Sequence, residues 1–382
     1  MRPAERHGVM TIRPSALHLI VRIVVLMLTA GCGSGGGDSS PVPQTPTPTS
    51  SSTATPRPTS TPLGPAWAVG NRTAGEGLLM ASADDGRTWS TVSLLEQQLG
   101  GIAFVDAAHG WAVGGSAILR TVDAGATFTR SDLAPEIGLL LAVDFATPDL
   151  GVAVGMTPPE HSIFLGHPLI VRSTDGGLTW QVVPVHDGNG DTLPRDPLRD
   201  VCLTSGGLGV TVGYGFSDNV VLVTRDFGLS WENVIERLPI PSGISVSCVG
   251  NVITVVGAGV YRSTDGLEWV DRSPTDLPEN TVILAARFVD EVHGWAVGGA
   301  PDNAPLVLHT DDGGHTWAVQ SLPAGLHGTL RAIAAASPSV AIGVGLLEPY
   351  AVFTTNGGVT WEVSSRFPVE ASATEACIAP AD

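Results

Sequence analysis

Seven short segments of the chain place an acidic or amide side chain between hydroxyl residues and glycines, a grouping that could be a catalytic or metal-binding site. The fullest copy, STDGGLTW at residues 173–180, carries Ser173, Asp175 and Thr179. A catalytic group is normally needed once or as one pair, so seven near-equal copies cannot all be active sites. We call these segments boxes and predict that they are architectural. Their shared acidic or amide positions are Asp84, Asp123, Asp175, Asp226, Asp265, Asp312 and Asn356.

A second candidate for chemistry is the stretch DGNGD, which places oxygen side chains at alternate positions. Asp187, Asn189 and Asp191 have the spacing that begins an EF-hand calcium loop. Thr192 stands where the turn glycine is expected, and no glutamate follows at the twelfth position. The pattern is therefore partial; calcium is the one cofactor it suggests, and we expect no other.

The histidines do not follow a metal-binding spacing. His109 and His293 both precede a Gly-Trp pair, which favours a role in a turn. The arginines Arg120, Arg172 and Arg262 also recur, each three residues before a box Asp. They could form a basic track on the surface, or cover strand surfaces with their long stems, and we favour the second interpretation.

The elements that carry these residues repeat along the chain. The aromatic ends of the boxes lie at Trp89, Phe128, Trp180, Trp231, Trp269, Trp317 and Trp361. A second segment, typified by GWAVG at 110–114, precedes each box; its copies, here called WAVG segments, lie at 66–70, 110–114, 151–155, 209–213, 252–257, 294–298 and 340–345. Periods of about 40–50 residues indicate a repeat architecture. Each repeat reads as four strands with the box as the last hairpin, since glycines supply the positive φ that such turns need.

The box pattern resembles the Asp-box, or BNR repeat, of sialidases and other propellers. Combined with the WAVG segments, it resembles the photosystem II stability/assembly factor family over residues 65–382. The resemblance implies an all-β, seven-bladed propeller of four-stranded antiparallel blades. For function it is less specific, because propellers host many activities.

The first WAVG segment is a second strand without a first strand before it. The C-terminal segment TEACIAPAD, 374–382, matches first strands such as GGIAFVDA at 100–107. We therefore predict that the C-terminal strand completes the first blade and closes the ring.

Two long loops of the third repeat are our candidate binding face. Residues 156–168 and 186–197 are insertions that belong on one face of the ring, opposite the boxes, and long loops on a rigid scaffold often carry function. An insertion without a role is the alternative. The candidate residues of this face are Glu160, His161, His167, His186 and Asp196.

The N-terminus reads as an export signal. Residues 1–31 combine a basic leader with a short apolar core, and TAGC ends at Cys32, which resembles a lipobox whose cysteine is lipidated. Ordinary signal cleavage is the alternative. Residues 32–64 are rich in Gly, Ser, Thr and Pro, which predicts a disordered linker. We expect a lipoprotein tethered to the membrane in the cell envelope.

Composition excludes several functions. The net charge is −18 and all 19 basic residues are arginines, which disfavours nucleic acid as a partner. The absence of lysine also excludes Schiff-base and P-loop chemistry. Beyond Cys32, three cysteines remain, Cys202, Cys248 and Cys377, so at most one internal disulfide can form. All three fall in first strands, and we expect buried thiols rather than a disulfide.

We expect a non-enzymatic, monomeric module that binds a membrane or envelope protein, as the resemblance implies. The alternative is a glycoside hydrolase or a glycan-binding propeller, because Asp-boxes occur in both. A sialidase needs an Arg-Ile-Pro stretch, which this chain lacks, and a tyrosine nucleophile, for which only Tyr214, Tyr261 and Tyr350 are available. All nine tryptophans fall in the boxes or the WAVG segments, which leaves none to stack on a sugar.

Overall fold

The fold is described from a computed structural model, in which seven four-stranded sheets form the blades of a propeller. The structure describes residues 64–380, apart from 73–74, 135–136, 159–165, 187–196, 214–218, 236–242, 258, 346–349, 366 and 369–370. Each first strand packs against the first strand of the next blade, and the contacts run in a closed cycle through all seven. The prediction of an all-β, seven-bladed propeller is confirmed.

The strands follow the repeat. Blade 1 holds β28 (Ala371–Ile378), β1 (Ala66–Arg72), β2 (Gly77–Ser82) and β3 (Ser90–Leu95). Blade 2 holds β4 (Gly101–Phe104), β5 (Gly110–Gly114), β6 (Ala117–Thr121) and β7 (Thr129–Asp132). Blade 3 holds β8 (Leu139–Phe145), β9 (Gly151–Met156), β10 (Pro168–Ser173) and β11 (Gln181–Val182). Blade 4 holds β12 (Leu198–Leu203), β13 (Gly209–Gly213), β14 (Val220–Thr224) and β15 (Glu232–Asn233).

The remaining three blades have the same order. Blade 5 holds β16 (Gly243–Val249), β17 (Val252–Gly257), β18 (Val260–Ser263) and β19 (Val270–Asp271). Blade 6 holds β20 (Val282–Phe288), β21 (Gly294–Ala300), β22 (Ala304–Thr310) and β23 (Ala318–Val319), with a 3-10 turn at Pro301–Asn303. Blade 7 holds β24 (Leu330–Ser337), β25 (Val340–Gly345), β26 (Ala351–Thr354) and β27 (Glu362–Val363). No helix among the described residues is long and apolar enough to cross a membrane.

The C-terminal strand closes the ring, as predicted. β28 pairs antiparallel with β1, with Cys377 opposite Trp67 and Glu375 opposite Val69. The two ends of the propeller therefore share one sheet, held by hydrogen bonds and packing rather than by a chain connection. This sheet hides the edge that β1 would otherwise expose.

The apolar core lies between the blades. The WAVG segments form the second strands and are almost wholly buried. Trp111 of β5 has no solvent exposure and stacks on Phe145 of the next blade, with ring centroids 3.4 Å apart. Gly151 lies against the same Phe145 ring, and a Cβ there would approach it to 2.5 Å. The small residue at the start of the WAVG segment therefore makes room for the aromatic ring that ends the first strand.

The cysteines contradict the expectation of three free thiols. Cys202 and Cys248 form a disulfide, and Cys377 is the free, buried cysteine. The pair lies on the first strands β12 and β16 of adjacent blades, where the Cα atoms are 5.6 Å apart. That separation is in the usual range for a disulfide. The sequence placed both residues in first strands, but only packing of the blades brings the two strands side by side.

Candidate binding site

The boxes are turns stabilised by their own side chains. Asp175 accepts hydrogen bonds from the Thr179 backbone N–H at 2.9 Å, the Thr179 hydroxyl at 2.6 Å and the Ser173 hydroxyl at 2.8 Å. Ser173 in turn accepts from the N–H of Gly177 at 2.8 Å. The hydrogen bonds from Thr179 lower the pKa of Asp175 to about 2. The carboxylate is thus occupied in holding the turn, which is the architectural role predicted for these residues.

The other boxes repeat this arrangement, including the one that lacks a carboxylate. Asn356 accepts from the N–H of Thr360 at 3.0 Å with its carbonyl oxygen and donates from Nδ2 to the Thr360 hydroxyl at 2.9 Å. The fifth box is one residue shorter, and Asp265 there accepts from the N–H groups of Leu267 and Glu268. The turn therefore needs an acceptor at this position and does not need a negative charge.

The recurring arginines join neighbouring blades. Arg120 donates from Nε to the carbonyl of Gly176 in the next box at 2.7 Å, and Trp111 donates to the same oxygen at 2.9 Å. Arg172 makes the equivalent bond to the carbonyl of Phe227, and Arg262 makes one to Gly313. These guanidinium groups therefore connect neighbouring blades. Neither interpretation offered from the sequence, a basic track on the surface or coverage of strand surfaces, included this role.

The two histidines before Gly-Trp pairs lie in turns between the first and second strands. His109 contacts the Asp106 carboxylate through Nδ1 at 2.8 Å, and His293 contacts Asp290 in the same way at 2.7 Å. Both aspartates also accept from the backbone N–H of their histidine. The described part of the chain contains no group of three side chains suited to a metal ion.

The two long loops leave the ring on one face. β9 ends at Met156 and β10 begins at Pro168, while β11 ends at Val182 and β12 begins at Leu198. Leu198, where the second loop ends, pairs with Gly213, the last residue of a WAVG segment. The first loop follows Gly155, the last residue of the preceding WAVG segment, so both loops lie at the ends of the sheets where the second strands finish. The boxes join third to fourth strands at the opposite ends.

Few of the candidate residues in these loops are described. The backbone of His167 pairs with Thr157, through N–H to the Thr157 hydroxyl at 3.0 Å and C=O to its N–H at 2.9 Å, which closes the base of one loop. His186 is exposed. The other candidates lie outside the described residues, namely Glu160, His161, Asp196, the three calcium candidates Asp187, Asn189 and Asp191, and the lipidation residue Cys32.

Four charged residues that were not predicted from the sequence lie together in the centre of the ring. A cavity of about 490 Å³ is lined there by Asp144, Asp200, Glu375 and Arg287. Each of the four lies on a first strand, and the cavity leaves the side chains partly accessible although they are deep inside the ring. Three carboxylates thus share one cavity with a single lining arginine.

Two of these carboxylates bind the next blade. Asp144 accepts from the N–H of Leu203 at 2.8 Å. Asp200 accepts from the N–H of Val246 at 2.8 Å and from the hydroxyl of Ser245 at 2.7 Å. Glu375 has a different environment, since the hydrogen bond that the structure gives its carboxylate comes from Ala376 on its own strand at 3.3 Å.

Burial sets the protonation of this cluster. It raises the pKa of Asp144 to about 6 and also raises that of Asp200, in both cases against the hydrogen bonds that favour the ionised form. Burial, followed by the negative charge of Asp200, raises the pKa of Glu375 to about 7, while Arg287 and Arg331 act in the opposite direction. Burial therefore favours the protonated form of these three carboxyl groups in the closed ring.

The repeat itself contains the signal that could have revealed these residues. Asp144 and Arg287 each lie opposite the second residue of a WAVG segment. The first-strand residue at the equivalent position of blade 2 is Ala103. Asp200 and Glu375 pair with the fourth residue, where blade 2 has Gly101. An alignment of the first strands by their WAVG partners would have shown charges at positions that are otherwise small or apolar.

Comparisons with known proteins agree with the fold. A family model described as photosynthesis system II assembly factor YCF48 matches residues 81–264, somewhat less than half of the chain. The photosystem II assembly lipoprotein Ycf48 of Synechococcus sp. (strain CC9902) is 32% identical over 143 residues, which cover 35% of this chain and 40% of that relative. The matched segment thus spans well under two thirds of the relative's length.

Two solved structures share the architecture. One, described as YCF48 bound to D1 peptide, has a TM-score of 0.53 and 18% identity, and the match covers 72% of this chain and 84% of that one. The WD40 propeller domain of Doa1 has a TM-score of 0.51 and 13% identity, with coverage of 72% and 84%. At these identities the likeness concerns the fold alone. With its seven four-stranded blades and its match over residues 81–264, the chain is a seven-bladed β-propeller that resembles the photosystem II assembly factor family.

Proposed function

We propose that this protein is a non-enzymatic scaffold that binds a segment of a membrane protein and assists its assembly or stability. The observation that carries the proposal is the match of residues 81–264 to the assembly factor family. The structure is consistent with it, because the recurring polar side chains of the boxes hold turns and are not free for chemistry. A rigid ring with two long loops on one face is the kind of scaffold on which binding surfaces are found.

The compartment is part of the same proposal. The relative from Synechococcus is called a lipoprotein, and the lipobox-like TAGC supports a lipid anchor at Cys32 in this chain. The disulfide between Cys202 and Cys248 also favours an oxidising, extracytoplasmic location. The propeller would then act at the membrane surface through the linker 32–64, as a monomer that needs no cofactor.

A glycoside hydrolase is the second candidate, and the central cavity is what favours it. Asp144 has its pKa raised to about 6, as a general acid requires. However, Asp144 and Asp200 hold the backbone of the next blade with their oxygens. Of the three tyrosines that could serve as a sialidase-type nucleophile, Tyr261 and Tyr350 are buried at 7% and 8% exposure, and Tyr214 lies outside the described residues. These contacts favour the scaffold.

Affinity capture from the native host tests the proposal. The tagged full chain would be cross-linked in intact cells, extracted from membranes and analysed for partners. We expect a stoichiometric membrane protein, and we expect to lose it when loops 156–168 and 186–197 are shortened together. Retention on glycan, turnover of a glycan substrate, or capture that is unchanged by loop shortening would contradict the scaffold and its face.

A further inference from the structure

The strand that closes the ring carries a carboxylate facing the central cavity. Glu375 lies in the middle of β28, which has no chain connection to β1, its partner in blade 1. Every other blade holds its first strand by a short turn to the second. The β28–β1 seam is therefore the place where the ring can open without breaking a loop.

The groups around Glu375 make its ionisation unfavourable. Burial, and after it the charge of Asp200 on β12, raises the pKa of Glu375, while Arg287 of β20 and Arg331 of β24 favour the ionised form. Cys377 lies two residues away on β28 and lines the same cavity. Of the other strands packed against β28, β4 and β25 have no titratable side chain.

The remaining strand packed against β28 is β1, whose charged side chain is Arg72. Arg72 at the end of β1 pairs with Glu76 at 3.1 Å. Glu375 also lacks the interblade backbone bond that Asp144 and Asp200 make, since its described hydrogen bond comes from its own strand. When it ionises, the cost of burying its charge is not offset by a bond across the blade interface.

We propose that the closing strand β28 is a pH-sensitive latch, which holds the ring firmly while Glu375 is protonated and loosens when the carboxylates of the central cavity are all ionised. A carboxyl group that binds its proton more tightly in the closed ring than in the opened strand favours closure at low pH. This contribution to closure is lost as the pH rises through the pKa that the carboxyl group has in the closed ring. Opening would release β28 from β1 and expose the edge of blade 1.

Hydrogen exchange of the full chain tests the latch. Protection of the β28 amides would be compared at about pH 5 and about pH 8, after correction for intrinsic exchange rates, with β20 and β21 as an internal reference. Because burial raises the pKa of Glu375 from 4.5 to about 7, we expect β28 to lose protection by about tenfold to about seventyfold between these two pH values. The reference strands, which exchange when the whole ring unfolds, should remain better protected than β28 at about pH 8.

Two variants assign the effect. In Glu375→Gln, β28 should stay protected at both pH values, whereas Glu362→Gln, at an exposed position of β27, should behave as the parent. If Glu375→Gln does not fold, Asp200→Asn should reduce the loss, because it removes a charge that raises the pKa of Glu375. Equal protection of parental β28 at both pH values would overturn the latch. Protection of β28 at about pH 8 that is no lower than that of β20 and β21, or an unchanged loss in Glu375→Gln, would do so as well.

Discussion

At the scale of single residues, the side chains that look most like a site are those that hold the fold. Asp175 is engaged by three donors within its own turn, and Asn356 holds the same turn without a charge. The sequence allowed this role to be predicted because the pattern recurs seven times. It did not allow the interblade bonds of the arginines to be predicted, because their acceptors are backbone carbonyls of the following blade.

The bond from Arg120 can be measured against an arginine whose ion pair lies within its own strand. Arg120→Met keeps most of the apolar stem but removes the donor to the Gly176 carbonyl, which retains Trp111 as a partner. We expect a loss of about 1 kcal/mol in the free energy of unfolding, measured by denaturant titration. Arg130→Met is the control, because Arg130 forms an exposed pair with Asp132 and should contribute little. Equal losses in the two variants would refute the interblade role.

Acid stability should distinguish the boxes from the cavity. The box aspartates Asp175 and Asp312 have pKa values of about 2, below the ordinary value of 3.8. Their contribution to folding stability is therefore complete above about pH 3.8 and is lost as the pH falls towards 2. The contribution of the cavity to stability changes with pH in the opposite direction. Because the pKa of Asp144 is raised, the free-energy cost of burying its carboxylate is greatest above about pH 6.

We therefore expect the melting temperature to rise as the pH falls from about 8 to about 5 and to drop steeply below about pH 3. Asp144→Asn should flatten the upper part of this profile, while Asp149→Asn, at an exposed site, should leave it unchanged. Scanning calorimetry across this range measures both effects. A profile of Asp144→Asn that follows the parent between about pH 5 and 8 would show that this carboxyl is not the group involved.

At the scale of elements, the box turn requires a left-handed residue after its Asp. Glycine fills this position in several boxes, but Asp85, Ala124 and Phe227 have φ of 58°, 57° and 57° there. Such a conformation is costly for residues with a Cβ. These strained turns persist because the side-chain bonds on either side determine the backbone.

Relief of one strained turn should stabilise the protein. Ala124 is exposed, so Ala124→Gly changes little except the backbone preference, and we expect a gain of about 0.5–1 kcal/mol in the free energy of unfolding. Ala126→Gly, two residues away at negative φ, is the matched control and should lose about as much. Chemical denaturation measures both; a loss in Ala124→Gly would mean that the turn is not strained.

The disulfide joins two elements whose proximity was not predictable from spacing. Cys202 and Cys248 are 46 residues apart in the chain, so the bond closes a long loop of the unfolded state. The paired variant Cys202→Ala with Cys248→Ala should cost about 2–4 kcal/mol. Cys377→Ala, which removes a buried thiol outside any disulfide, controls for the loss of sulfur packing. A paired variant no less stable than this control would contradict a stabilising role for the bond.

At the scale of the whole molecule, the sequence repeat made the fold predictable but did not indicate the charged residues of the central cavity. The repeating boxes and WAVG segments were sufficient for the number of blades and for closure by the C-terminal strand. The charges of the cavity escaped notice because Asp144, Asp200 and Glu375 come from separate blades and meet only when the ring forms. A cavity at the symmetry axis combines single residues from several repeats, whereas a motif within one repeat is local in sequence.

Closure by β28 should account for much of the stability of the ring. Removal of residues 371–382 would expose the edge of β1 and uncover buried partners such as Trp67 and Val69. We expect the melting temperature to fall by at least about 10 °C. Removal of 381–382 alone, which leaves the strand intact, should have no such effect. An unchanged melting temperature for the longer truncation would mean that the ring does not depend on this strand.

The central claim is that the boxes build the ring while the opposite face, with its two long loops, binds a membrane protein. The most direct measurement is quantitative cross-linked capture from the native host with two matched variants. One carries Asp175→Asn in a box, which the turn should tolerate as it tolerates Asn356, and the other has both loops shortened. We predict full recovery of the partner with the box variant and loss of recovery with the loop variant, at equal amounts of folded protein. Equal recovery with both, or loss with the box variant alone, would contradict the account.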